Sequence, residues 1–291
     1  RISGFPKSKI GIGHTRWATH GGVSNENAHP HLSADGSFAL AQNGIVENCQ
    51  SLKDHLLKKG YQFQTDTDTE VIVRLIEDKL KSTKNLEQAV RLAFLELKGR
   101  NTIIVLTKNG QIIAARNGSP LVVGQSDKEV FFSSDTLSFA PFVNRVIVVE
   151  NGQMASYNEE LKIMGIKSNK TIPYKSEKID FKSSKVDKEG YEHFMLKEIH
   201  ESPYVISQVL ARGEQVYEDF VTALGKAKNV YTIGSGTAGV AASQIAFYLR
   251  VFAQIKAVAV IGADIYEYFK LLERDDLMIV PSQSGEPADV L

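Results

Sequence analysis

The sequence predicts two domains of different class, an antiparallel α+β half followed by a parallel α/β half. Three observations predict it. At 291 residues the chain is longer than a single core usually grows. Between residues 100 and 160, β-rich runs are separated by Asn-Gly pairs, the pattern of successive hairpins. Beyond residue 228, near-continuous apolar runs alternate with helical segments, as in a parallel sheet covered on both faces.

The elements follow in order. Residues 38–41 read as a strand that runs into Gln42-Asn43-Gly44, where Asn-Gly by itself is a turn. Residues 52–59 form a helix that closes on Gly60, with lysines at its C-terminal end. Val71, Val73, Leu75, Ile76 and Leu80 fall mostly at helical spacing, in a stretch entered through Asp66-Thr67-Asp68-Thr69-Glu70, one of which serves as N-cap. A third helix runs from Asn85, with Gln88 at the capping-box position, to about Leu97. Strands over 102–107 and 111–115 flank Asn109-Gly110; runs at 121–123 and 130–132 follow; 145–150 and 153–157 flank Asn151-Gly152. From 167 to 190 the chain is rich in Lys and Ser, with seven lysines against four acids, and reads as a solvated domain edge or linker. In the last hundred residues a helix over about 191–211 leads to a strand at 230–233. A Gly-rich turn, a helix at 241–250, a strand at 257–261, a short helix near 265–272 and a strand at 277–280 complete a doubly wound parallel pattern.

Composition narrows the function classes. Lys plus Arg and Asp plus Glu both total 34, so no global basic field draws in nucleic acid or anionic lipid. The one cysteine, Cys49, excludes an internal disulfide and a Cys-cluster metal site, and suits a reducing cytosol. No apolar run approaches the roughly 20 residues of a membrane span. Both ends read as cut from a longer protein, since the chain opens on Arg1 and stops at Leu291 as a helix begins.

Four of the seven histidines, His14, His20, His29 and His31, lie within eighteen residues. Imidazole is the commonest metal ligand, but the spacing matches no closed zinc pattern and no metal is expected. They read equally as turn and core histidines. Arg16 and Trp17, in a segment ending at Gly21-Gly22, are placed as in a lid over a ligand. Asn43 beside Gly44 offers an amide and an unhindered backbone N–H, two donors suited to an oxyanion. Asp68 could hold an ammonium or simply cap a helix. Gly234-Ser235-Gly236-Thr237-Ala238-Gly239 is a G-x-G-x-x-G between strand and helix, with Asp264 25 residues on, so a dinucleotide site and a phosphate cradle are both open.

Together HTRWATHG, NAHPH, QNGIVEN and TDTDTEVI resemble the glutaminase domain of the glutamine–fructose-6-phosphate aminotransferases, of the N-terminal-nucleophile class. The resemblance continues through YEHFMLKEIHESP into SQSGE and covers nearly the whole chain. It implies an αββα sandwich over residues 1–183, a linker over 184–192, and the first part of a sugar-isomerase (SIS) domain over 193–291. It implies that Arg16 clamps the α-carboxylate of glutamine, and that Trp17, Thr19 and His20 belong to the closing loop. Asn43 and Gly44 would form the oxyanion hole, and Asp68 would bind the α-ammonium. Thr237, Ser282, Gln283 and Ser284 would contact fructose 6-phosphate, which makes the phosphate cradle the better reading of the Gly-rich loop.

The family's nucleophile is an N-terminal cysteine, its α-amine acting as base, and Cys49 is no substitute for it. The polypeptide as written is therefore expected not to hydrolyse glutamine alone. Two residues depart from the family pattern: Ala238 stands where a serine is usual, and Pro287 replaces the threonine of SQSGET. The resemblance further implies no cofactor, a cytoplasmic homodimer, and glutamine and fructose 6-phosphate as substrates. The alternatives are an amidotransferase for another phosphosugar and a non-catalytic sugar-phosphate-binding protein.

Overall fold

A computed structural model of the chain describes residues 8–16, 18, 20–178 and 188–282. Trp17, Thr19, Gln283, Ser284, Pro287 and part of the expected linker lie outside these. The chain divides into two compact units, Arg1–Lys185 and Val186–Leu291.

The first unit carries two antiparallel sheets. Strands β1 (His31–Leu32), β2 (Phe38–Gly44), β3 (Asn101–Thr107), β4 (Ile112–Asn117), β8 (Gln153–Asn158) and β9 (Glu160–Gly165) form one, in that order across the sheet. The other has the order β10-β7-β5-β6, from Glu177–Lys178, Arg145–Val148, Val122–Gln125 and Val130–Ser133. Helices α1 (Cys49–Lys58), α2 (Asp68–Thr83) and α3 (Leu86–Glu96) pack on the larger sheet.

Period-two alternation explains why its central strands are apolar on both faces. Ile103, Val105, Ile113, Ala115 and Met154 join the core under the helices. Ala114, Ala155 and Ile163 point the other way, into a second core with Val123 and Ile147 of the smaller sheet. That sheet's outer face is covered by the 3₁₀ turns Thr136–Ser138 and Ala140–Phe142, through Phe139 packed on Val122 and Val146. Gly124 makes room for it, since a Cβ there would strike the Phe139 ring.

Three expectations are corrected. Gln42-Asn43-Gly44 is not a turn: β2 continues through all three, paired with Ile103, Thr102 and Asn101. Gly44 sits at φ +125, and a Cβ on it would run into the Arg100 carbonyl oxygen, so the glycine serves a close backbone approach. Asn109-Gly110 does close a hairpin between β3 and β4, but Asn151-Gly152 does not. There the chain leaves the smaller sheet at β7 and enters the larger at β8. The Lys-rich segment is also not wholly irregular, for β10 pairs with β7.

In the second unit, α4 (Phe194–Leu210) and α5 (Glu218–Lys226) precede a parallel sheet of order β12-β11-β13, from Ala257–Ile261, Val230–Gly234 and Leu277–Ile279. Helix α6 (Gly236–Val251) covers one face through Ala246 and Leu249 against Val230 and Ala257. The short α7 (Ile265–Tyr268) covers the other, against Tyr231, Ile233 and Val260. Opposite faces of one strand are thus buried by successive helices, the doubly wound arrangement. Helix α6 starts five residues before the expected boundary, at Gly236, whose φ of +56 most residues resist. Gly239 fits against the Gly234 carbonyl oxygen, an approach a Cβ would block. Among the described residues no helix is long and apolar enough to cross a membrane.

Candidate functional site

The C-terminal end of β2, the N-terminus of α2 and the loop of residues 14–22 enclose a cavity of about 320 Å³, lined by His14, Arg16, Asn43, Gly44, Asp68 and Thr69, with His20 at its edge. Five of the residues singled out for glutamine, Arg16, His20, Asn43, Gly44 and Asp68, therefore meet in one place. They come from segments up to 52 residues apart, brought together because β2 and α2 pack on one core.

Each is fixed by local chemistry. Thr67 caps α2, its side chain accepting from the Glu70 N–H. Asp68 is therefore the first helical residue. It is 4% exposed, and its Oδ2 accepts from the Val46 N–H at 2.8 Å. Cap and ligand readings of this acidic run thus fall on adjacent residues. The Arg16 guanidinium donates to the carbonyl oxygens of His20 at 2.6 Å, Gly22 at 3.0 Å and Gly21 at 3.2 Å, drawing the loop together. Arg16 itself has φ +25, a conformation that L-residues seldom adopt.

Behind the cavity lies a polar network that sequence reasoning missed. The Thr69 hydroxyl donates to Gln42 Oε1 at 2.6 Å, and Gln42 Nε2 donates to Asn101 Oδ1 at 2.7 Å. His29 Nδ1 accepts from the Gln42 N–H at 3.5 Å, so its hydrogen sits on Nε2 and is donated to Thr69 Oγ1 at 2.9 Å. No local signal pairs Gln42 with Thr69; only the packing of β2 on α2 does. His14, His29 and His31 meet in series, the first pair tilted by 33° and the second edge-on, with ring centroids 4.5 and 5.2 Å apart. Among the described residues no cluster of His, Cys, Asp and Glu could hold a metal ion.

Burial, then the neighbouring His14, His31 and Arg16 charges, lower the His29 pKa from 6.5 to about 3, with the Gln42 backbone opposing them. The unfolded chain thus binds the proton more readily than the folded one. This contribution to stability is complete above pH about 6.5 and is lost as pH falls toward about 3. We expect the urea midpoint of the wild type to fall more steeply with acid across that window than that of His29→Gln. Equal slopes would show that His29 is not the group responsible.

Cys49 opens α1, half-buried against the core. Burial pushes its thiol up, the Asp68 carboxylate adds to this, and Lys53 opposes it. A thiol held protonated is a poor nucleophile.

In the second unit, β11 and β13 are parallel neighbours, so the loops leaving them emerge at the same edge of the sheet. Ser235 precedes α6, Thr237 lies exposed in its first turn, and exposed Ser282 follows β13. Asp264 ends a 3₁₀ turn after β12, on the opposite side of β11.

Residues 14–141 match the glutamine amidotransferase domain family, and residues 223–291 match the SIS domain family, which displaces the dinucleotide reading of the Gly-rich loop. Curated relatives named glutamine–fructose-6-phosphate aminotransferase (isomerizing) align with 97% of this chain. They are 37% identical in Chlorobaculum tepidum, 36% in Pyrococcus horikoshii and 38% in Bacteroides thetaiotaomicron. The chain spans 48% of each of them, about half their length. A solved structure titled as the allosteric regulatory enzyme of purine biosynthesis shows a partial likeness. It is 30% identical, with a TM-score of 0.46, over 53% of this chain and 34% of that one. Along nearly its whole length, the chain is a relative of the isomerizing glutamine–fructose-6-phosphate aminotransferases, a glutamine amidotransferase domain followed by a SIS domain.

Proposed function

We propose that the chain is the glutamine-hydrolysing domain and the beginning of the sugar-phosphate domain of an enzyme that makes glucosamine 6-phosphate from glutamine and fructose 6-phosphate. The observation that carries this is the convergence of Arg16, Asn43, Gly44 and Asp68 on one cavity. Glutamine is a zwitterion with a neutral amide. It calls for a cation, an anion and neutral donors, and these four residues supply them.

Asp68, anchored through Oδ2 by the Val46 N–H, would receive the α-ammonium on Oδ1. Arg16 would take the α-carboxylate in a charge-assisted pair and, tied to the carbonyl oxygens of residues 20–22, would pull the loop over the substrate. Trp17, Thr19 and His20 would complete that loop. Nucleophilic attack on the side-chain amide carbon puts negative charge on its oxygen. Asn43 Nδ2–H and the Gly44 N–H would stabilise that charge. Arg16, Asn43, Gly44 and Asp68 would thus bind and polarise the amide. The attacking thiol is the one the family resemblance implies, an N-terminal cysteine, and not Cys49.

In the second unit, Thr237 and Ser282, with Gln283 and Ser284 beyond the described residues, would hold the sugar phosphate. The α6 N-terminus would add its dipole. Residues 1–183 and 193–291 would be the two domains and 184–192 their link, in a cytoplasmic homodimer without a cofactor. Ala238, in the first turn of α6 where the family resemblance implies a serine, favours a second reading with a different phosphosugar as acceptor.

The test uses the full-length protein with its N-terminal residue identified, supplied with glutamine and fructose 6-phosphate. Glutamate and glucosamine 6-phosphate in equal amounts by mass spectrometry are expected. Glutamate without the amino sugar would sink the acceptor assignment; neither product would sink the enzyme reading.

A further inference from the structure

We propose that His14 is a positioning residue of the glutamine site, locking the Asn43 side-chain amide so that its Nδ2–H groups, not its oxygen, face the developing oxyanion. The proposal rests on the amidotransferase reading of the cavity.

A primary amide has a donor end and an acceptor end of nearly equal size, and rotation by 180° exchanges them at little steric cost. For an oxyanion the exchange is decisive, because a carbonyl oxygen in that place repels the charge it should stabilise. Something must fix the amide, and the fixed point here is backbone. The Arg16 N–H donates to His14 Nδ1 at 2.9 Å. A backbone N–H can only donate, so Nδ1 is the acceptor and the ring hydrogen sits on Nε2. That hydrogen meets Asn43 Oδ1 at 2.7 Å. In the flipped amide, Nδ2–H would oppose Nε2–H, two donors face to face. The orientation of Asn43 is thus dictated from the loop of Arg16, through one imidazole.

The ring is held from its other side. His29 stacks on it at 4.5 Å with the planes 33° apart, and His29 is itself tied to Thr69 and Gln42. Arg16 thereby joins two tasks: its side chain gathers the loop carbonyls, while its N–H sets the tautomer that orients the oxyanion donor.

The test measures glutamine hydrolysis by the full-length enzyme. In His14→Leu we expect kcat to fall about 100-fold while KM for glutamine changes less than about threefold, because an oxyanion donor acts chiefly in the transition state. His14→Gln keeps an N–H donor near the position of Nε2 and should recover at least about tenfold of the loss. In an Asn43→Ala background, His14→Leu should cost less than about twofold more, since a residue acting only through Asn43 has nothing left to orient. A merely structural role would add its full effect there. A His14→Leu enzyme with kcat within twofold of wild type, beside an impaired Asn43→Ala, would overturn the proposal.

A readout independent of turnover is the long-range ¹⁵N–¹H spectrum of the imidazoles. His14 should show the Nε2–H tautomer; the Nδ1–H tautomer would overturn the proposal. A wild type with no glutaminase activity would instead sink the reading of the site, and the tautomer would still decide whether His14 orients Asn43.

Discussion

Replacing Asn43 with alanine in the full-length enzyme is expected to lower kcat for glutamine hydrolysis by about 10²–10³-fold, the cost of one oxyanion donor. Three features make this the most damaging small change at the site. Asn43 lies at the end of a strand whose far partner, β3, is fixed by a full antiparallel register, so the backbone cannot bring another donor to its place. Its neighbour Gly44 is pinned at φ +125 against the Arg100 carbonyl oxygen and cannot move to compensate. The truncation also leaves His14 Nε2–H without its acceptor. Asn43 is only half-buried, so Tm should change by a few degrees at most. The measurement is steady-state glutaminase kinetics beside thermal melting. A kcat within about threefold of wild type, on a folded protein, would remove Asn43 from the mechanism.

What the sequence disclosed, and what it withheld, divides along the reach of the interactions. The Asn85 cap with Gln88 and the Asn109-Gly110 hairpin were legible because both are settled within a few residues of themselves. Asn151-Gly152 has the same turn chemistry. Yet which sheet each flanking strand joins depends on Val149 donating to the Leu121 carbonyl and Ile166 to the Gly152 carbonyl, partners in other segments. Asn43-Gly44 misled in the same way. As a dipeptide it is a turn; in the fold it is the last stretch of a strand, kept extended by Asn101 and Thr102. The start of α6 was missed because glycine has poor helix propensity, whereas Gly236 and Gly239 are there for turn and approach.

The candidate site was legible in its residue types and not in its wiring. Arg16, Asn43, Gly44 and Asp68 could be named from motif resemblance, and they line one cavity. His14 was visible only as one of a cluster, open to metal or bland readings. Its partners are a backbone N–H two residues away and an amide 29 residues away, and spacing alone reports neither.

Glu70→Ala should lower the stability of the first unit by about 3–5 kcal/mol, the range for breaking a buried ion pair by removing one partner. The Glu70 carboxylate accepts from Arg74 at 2.9 Å and from the N–H groups of Gln64 and Thr65 at 2.9 and 2.7 Å. The side chains of Glu70 and Arg74 are 3% and 7% exposed, so water replaces little of what is lost. Glu77 stays on the other guanidinium nitrogen at 2.9 Å and keeps Arg74 from being wholly unpaired. That places the expected loss below the cost of an isolated buried cation.

Burial alone would raise the Glu70 carboxyl, but its bonds to Thr65, Arg74 and Gln64 outweigh it and the net shift is downward from 4.5. The folded state therefore favours the carboxylate. Its contribution is present above pH about 4.5 and is lost as pH falls through the lower folded value, so wild type and variant should converge in acid. Urea unfolding at pH 7, and then at successively lower pH below 4.5, measures both points, and a loss below about 1 kcal/mol at pH 7 would refute the account. Removing both charges, as in Glu70→Leu with Arg74→Met, should recover part of the stability, because no buried cation is left without its partner and Glu77, which loses Arg74, is partly exposed and still accepts from the Ala34 N–H. It should not recover glutamine binding. The segment that Glu70 ties down, Gln64 and Thr65, leads directly into the Thr67 cap and Asp68, so KM for glutamine should stay raised in the double variant while the melting temperature returns.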